Sequence, residues 1–216
     1  MSPAGQPDEE VGLRLRSARE ARDLTLRELA RRLDLSASAL SQIETGKSRP
    51  SVKTLYAIVS ELGISLDRLF AEGDGADAGG NGVTAAPASA GGALVQRAGA
   101  RAKLELDSGV SWERLTAGHD PDVDFLFATY EPGGASSSND KLVRHSGREY
   151  GVVLSGALEV TVGFETFELG KGDSICFDSQ EPHLLANRGR RPATAVWFVI
   201  GRRQSDPRGP SFSSSG

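Results

Sequence analysis

Residues 25–50 read TLRELARRLDLSASALSQIETGKSRP, and this stretch decides the N-terminal fold. Thr25-Leu26-Arg27-Glu28 has the form of a capping box, in which a hydroxyl and a carboxylate three residues apart satisfy orphan amides at a helix start. The helix it opens carries Leu26, Leu29, Ala30 and Leu33 at helical spacing. Asp34-Leu35 breaks the chain, and Ser36 is placed to cap a further helix, Ala37 to Thr45. In that helix Leu40 and Ile43 face inward, whereas Ala37, Ser38, Ser41 and Gln42 face outward. Gly46 ends it.

Working outward, Val11, Leu15 and Ala18 form one face of a preceding helix that ends near Arg22. Pro50-Ser51 leads into a fourth helix through Val52, Leu55, Ile58, Val59 and Leu62, and Ser65 to Phe70 reads as a short fifth. Two short helices joined by a three- or four-residue turn inside a small bundle form a helix-turn-helix. The run from Leu24 to Phe70 resembles the DNA-binding domain of the XRE, or lambda-repressor-like, family, and with the helix before it the resemblance covers some 60 residues. Ala30 takes the small position where the helices cross, and SQIETGKSRPS matches the family's connection to the fourth helix. Asp34 stands where the family usually places glycine, and aspartate tolerates the left-handed conformation better than most residues.

The resemblance implies that the Ala37–Thr45 helix enters the major groove by its N-terminal end. Ser38, Ser41 and Gln42 would then lie near base edges, with Ser36 and Ala37 also in the DNA-binding set and Gln42 the best reader because its amide pairs with adenine N6 and N7. Thr25, Arg27, Lys47, Arg49, Ser51 and Lys53 would hold phosphates. One such head buries little surface, so a specific double-stranded operator implies a homodimer spanning half-sites about 34 Å apart. A helical bundle used for protein contact, its arginines an ordinary solvated face, is the plainer alternative.

Charge agrees with nucleic acid only when read locally. The whole chain of 216 residues has a net charge of −4. Between Val11 and Lys53, however, ten basic residues face five acidic ones, and the remainder carries 15 basic against 24 acidic. A basic head on an acidic body is the asymmetry expected of a nucleic-acid contact. The single cysteine, Cys176, excludes an internal disulfide framework, and in a predicted strand it reads as buried packing. No stretch reaches the roughly 20 apolar residues of a membrane helix, and MSPAGQPDEE lacks the features of a secretory signal, so a cytoplasmic protein with no membrane partner is expected.

Composition divides the chain into residues 8–70, a Gly/Ala-rich linker over 71–93, a β unit over 94–201 and a disordered tail over 202–216. The linker, AEGDGADAGGNGVTAAPASAGGA, cannot bury enough surface to order itself, and at its length spans roughly 25–30 Å. The β unit has period-two alternation and glycine turns. Strands are predicted at 103–106, 111–116, 124–130, 150–155, 157–162, 165–169, 174–177, 183–187 and 194–200. The expected fold is therefore multidomain, a five-helix bundle followed by an antiparallel β-barrel or jelly roll.

GGASSSNDKLVRHSGREYGVVLSG (133–156) and GKGDSICFDSQEPHLLAN (170–187) resemble the two motifs of the cupin superfamily. His145, Glu149 and Gly156 match the first, with Val143 at its first His position. Gly172, His183 and Asn187 match the second, with Asp178 and Gln180 in place of Pro and Gly. The resemblance implies a pocket built on His145, Glu149, His183 and Asn187, with Tyr130, Val153, Phe177, Leu185 and Trp197 as walls. Two imidazoles and a carboxylate suit Zn, Fe, Ni or Mn with open positions, although one imidazole of the family's set is missing. Alternatively these side chains satisfy one another, hold an organic ligand, or pair Glu149 with Arg144 or Arg148. His119 reads as a loop residue without a role.

The order helix-turn-helix, linker, cupin implies a transcriptional regulator, not an enzyme, whose cupin domain senses a small-molecule effector and mediates dimerisation. A metal-dependent cupin enzyme, dioxygenase- or isomerase-like, with an appended DNA-binding domain is the alternative. A β unit serving dimerisation alone is a third reading.

Overall fold

The computed structural model describes residues 7–70, 94–118, 120, 122–137 and 139–201. The linker at 71–93, the tail at 202–216 and His119 lie outside the described residues. Four α-helices form the N-terminal unit: α1 (Pro7–Glu20), α2 (Leu26–Arg32), α3 (Ala37–Glu44) and α4 (Val52–Glu61). The capping box forms, since the Glu28 amide donates to Thr25 Oγ1 at 3.2 Å and the Thr25 amide to Glu28 Oε2 at 2.9 Å. Ser36 and Ser51 cap α3 and α4 in the same way. Asp34 takes φ +55°, so it adopts the left-handed turn that glycine would otherwise supply.

The expected fifth helix is instead a 3₁₀ turn, Leu66–Leu69. Four residues cannot offset the nucleation cost of an α-helix. Leu66 and Leu69 close the bundle core all the same, and the Asp67 carboxylate reaches out to Arg114 of the β unit at 3.1 Å.

Among the described residues nine strands follow: β1 (Lys103–Leu106), β2 (Val110–Arg114), β3 (Val123–Tyr130), β4 (Arg148–Ser155), β5 (Leu158–Val162), β6 (Glu165–Leu169), β7 (Ser174–Asp178), β8 (His183–Ala186) and β9 (Ala193–Ile200). They pair antiparallel in two sheets, β1-β2-β3-β9-β4-β7 and β6-β5-β8. The architecture is a two-sheet sandwich; strand pairing does not run round into a closed barrel. A register shift between Val153 and Ser155 bends β4 against β9.

Alternation decides which side chains face the interior. In β3 and β9 it buries Leu126, Ala128, Tyr130, Ala195, Trp197 and Val199, while in β4 it buries Glu149, Gly151 and Val153. Gly151 is required by a close approach, because a Cβ there would overlap the Trp197 ring. The same phase turns Cys176 outward. It is exposed, against the sequence expectation of burial, because Phe177 takes the inward position of β7.

The two units share one continuous set of buried apolar residues, with Val52, Leu55 and Tyr56 on one side and Trp112, Leu126 and Tyr130 on the other. Among the described residues two backbone hydrogen bonds cross the seam. The Lys53 amide donates to the Ser136 carbonyl at 3.0 Å, and the Asp107 amide to the Pro50 carbonyl at 3.1 Å.

Candidate functional site

On the helical unit, α3 presents Ser38 and Gln42 to solvent, with Ala37 and Ser41 half-buried beside them. Exposed Thr25 and Arg27 begin α2, and exposed Lys47 and Arg49 follow α3. The loop is drawn over the end of α3 by the Lys47 and Ser48 amides, which donate to the Gln42 carbonyl at 2.8 and 3.2 Å. Gly46, at φ +67°, makes that reversal possible. Two residues expected on this face sit differently. Ser51 is buried, its hydroxyl 3.0 Å from Thr54 Oγ1, and Lys53 is half-buried with its amide in the seam.

The orientation of α3 is set by a pair that periodicity does not reveal. Arg19 of α1 forks onto Glu44 of α3 through two bonds of 2.7 and 2.8 Å, both side chains buried. Gly12 allows the helices to close to this distance, since a Cβ would strike the carbonyl oxygens of Ile43 and Glu44.

In the β unit, His145 comes from the loop before β4, Glu149 from β4 and His183 from the first residue of β8. All three are buried. Glu149 Oε1 lies 3.0 Å from His145 Nε2 and 3.3 Å from His183 Nε2, and one ligand atom from each residue lies within 4.8 Å of the others. The opposite ring nitrogens are engaged by backbone: His145 Nδ1 contacts the Ser146 carbonyl at 3.1 Å and His183 Nδ1 the Glu181 carbonyl at 2.8 Å. Since a carbonyl only accepts, Nδ1 carries hydrogen in both rings, assigned here from the network.

That leaves Nε2 of each ring aimed at a carboxylate oxygen. Two acceptors do not sit 3.0 Å apart without positive charge between them, either a proton or a cation. His145 Nε2 and Glu149 Oε1 are both buried without a well-aligned hydrogen-bond partner. Burial alone would raise the Glu149 carboxyl, but the imidazoles of His145 and His183 hold it below its ordinary range. Burial pushes the His183 imidazole down, and it pushes the Tyr130 phenol well above its ordinary value. A neutral imidazole with its Nδ1 anchored, beside an ionised carboxylate, is the donor set of a divalent-metal site. The residues fit such an ion with three protein ligands and open positions.

Val143 occupies the place where the family motif has a further imidazole, buried and paired with His183 through bonds of 2.7 and 2.9 Å. The expected arginine competition is not what the fold arranges. Arg144 is exposed, and Arg148 points to the other side of β4, 5.9 Å from the Tyr150 ring. Tyr130, Leu185 and Trp197 line the cavity over the cluster. Asn187, Val153 and Phe177 do not line it. The Asn187 side chain ties its loop together, donating to the carbonyls of Tyr130 and Arg191 at 2.9 and 2.8 Å and accepting from the Gly189 amide at 2.8 Å. Val153 is plain core, and Phe177 packs behind His183 at 5.1 Å.

Sequence reasoning missed the lid of this cavity. Val52 and Tyr56 of α4 line it together with Trp112, and the Tyr56 ring lies over His145 with centroids 4.3 Å apart and planes at 32°. A signal existed. Besides the stripe Leu55, Ile58 and Leu62, α4 carries Val52, Tyr56 and Val59 on a second helical row, and a helix apolar on two sides needs a second partner.

Comparison with known proteins agrees with both halves. Residues 15–69 match the helix-turn-helix model HTH_3, and residues 126–199 match the cupin domain model Cupin_2. The chain is similar to the HTH-type transcriptional regulator PuuR of Escherichia coli (strain K12), 27% identical over 176 residues, 82% of this chain and 86% of that protein. The helical part is similar to the immunity repressor protein of Bacillus phage phi105, 39% identical over 62 residues, 29% of this chain and 43% of the repressor. In fold, the chain is similar to the crystal structure of an HTH_3 family transcriptional regulator from Vibrio cholerae, with a TM-score of 0.61 and 22% identity, covering 89% of this chain and 96% of that one. Among the described residues no helix is long and apolar enough to cross a membrane.

Proposed function

We infer, from a chain that joins an XRE-type helix-turn-helix domain to a cupin domain, that it regulates transcription as a sequence-specific DNA-binding protein whose activity responds to an occupant of the cupin cavity. The observation that carries the reading is α3, an eight-residue helix with its polar face exposed, its start capped by Ser36 and its end enclosed by a basic loop. Ser38, Ser41 and Gln42 read base edges, with Ser36 and Ala37 at the entering end. Arg27, Lys47 and Arg49, with the capped Thr25 end of α2, hold phosphates and fix register. The half-buried Lys53 adds its side chain to that role, whereas Ser51 is buried and serves as the cap of α4. The homology to PuuR over most of both chains supports the same assignment.

The protein acts as a homodimer, because one head of this size reads too few base pairs for a specific operator. An apolar outer sheet face, with Tyr150, Leu154 and Phe198 each more than a third exposed, is the surface a second copy covers. The domain limits that serve this function are 8–70 and 94–201, joined by 71–93.

Replacing Gln42 and Arg49 together by alanine tests the reading. Duplexes selected by the unsubstituted protein from random DNA lose most of their affinity for the variant, roughly a hundredfold in a gel-shift titration. Unchanged binding overturns the assignment of α3. The His145–Glu149–His183 set also suits a metal-dependent cupin enzyme, and turnover by metal-loaded protein lacking operator affinity favours that reading instead.

A further inference from the structure

The cavity over the cupin cluster is closed from outside the cupin fold. Of its walls, Val52 and Tyr56 belong to α4, the helix that follows the recognition helix, and they are 4% and 6% exposed. The room beneath them admits an ion with a water molecule or two. The Tyr56 ring is held between Trp112, at 5.3 Å, and His145, at 4.3 Å. His145 is one of the three residues whose donor atoms converge.

We propose that the cupin cavity is a two-domain site in which Tyr56 couples occupancy of the His145–Glu149–His183 cluster to docking of the DNA-binding head. The proposal rests on the reading above only in calling the helical unit that head. Its physical basis is the stack. A divalent ion drawing on His145 Nε2 leaves the imidazole electron-poor, and an electron-poor ring is held more tightly over the π-face of a phenol. An ion therefore tightens the seam. By linkage the docked head tightens the ion by the same factor. Tyr56 is thus a positioning residue for the metal.

Two backbone amides report docking directly. Helix N-termini leave their first amides without intrahelical partners. The Lys53 amide, in the first turn of α4, is satisfied only across the seam by Ser136, and the Asp107 amide likewise by Pro50. Hydrogen exchange at these amides, followed in the full chain with chelator and then with saturating Zn²⁺, measures the coupling without DNA. We expect zinc to slow both roughly fivefold in the unsubstituted chain. Tyr56→Leu, which keeps apolar volume but removes the ring, binds Zn²⁺ roughly fivefold more weakly and loses the zinc response, whereas Tyr56→Phe keeps both.

Failure to bind zinc, zinc binding without a change at Lys53 and Asp107, or a Tyr56→Leu protein matching the unsubstituted chain in affinity and response each overturns the proposal. Should Tyr56→Leu not fold, the zinc response of the unsubstituted chain still decides. Since no DNA enters the measurement, this proposal and the operator reading fail separately.

Discussion

Arg19 and Glu44 tie the recognition helix to α1 through a buried ion pair. The guanidinium forks onto both carboxylate oxygens in a buried seam, which fixes the rotation of α3 about its own axis as well as its distance from α1. Removing one partner strands the other charge away from water. Glu44→Ala is therefore expected to cost about 3–5 kcal/mol in urea unfolding. The double variant Arg19→Met/Glu44→Leu, which replaces the pair by apolar volume, recovers most of that stability. Operator affinity of the double variant should nevertheless fall, because the fork is what aims Ser38 and Gln42. A double variant with full affinity and reduced stability would contradict this role for the pair. Neither residue stands out in sequence, since Arg19 reads as one of many basic residues and Glu44 as an exposed helix acid. Only the crossing permitted by Gly12 brings them together.

At the scale of elements, local chemistry was legible where it acts locally. The capping box, the left-handed Asp34, the serine caps and the hairpin glycines each specify backbone within a few residues, and each element they bound forms. The 3₁₀ turn at Leu66–Leu69 and the outward phase of Cys176 escaped, because tertiary packing sets both. In the cluster, His145, Glu149 and His183 were legible from their motifs, whereas the wall from α4 joins residues about 90 positions apart that share no motif. Glu28 offers a test of a locally specified element. The Thr25 amide and hydroxyl hold its carboxyl below the ordinary value. Because the folded value is the lower one, the contribution to stability is present above the unfolded value near 4.3 and is lost as pH falls through the folded value. The melting temperature of the unsubstituted protein should therefore exceed that of Glu28→Ala at pH 7, with the gap closing below about pH 4. Glu28→Gln, which keeps the capping hydrogen bonds without the charge, should lie between the two and show no such closing.

For the molecule as a whole, the continuous core makes the two units a single cooperative body. Their connection at 71–93 contributes nothing to that argument; the contacts that matter are Val52 and Tyr56 against Trp112, the Asp67–Arg114 ion pair and the two crossing amides. If the seam is intact in solution, calorimetry of the full chain shows one unfolding transition with calorimetric and van't Hoff enthalpies equal. Val52→Asp separates the seam from the helix that carries it. At the first position of α4 a carboxylate favours the helix dipole, which offsets part of the lost apolar packing within the head. Facing the β unit, the same carboxylate is buried in the cavity that Glu149 also lines, and in metal-free protein this costs several kcal/mol. The transition is expected to split in two, with the head melting apart from the cupin unit and the Lys53 amide exchanging freely before either melts. Two separate transitions already present in the unsubstituted chain would mean that the head is joined to the cupin unit by the chain alone. In that case a cavity occupant would have no path to the recognition helix.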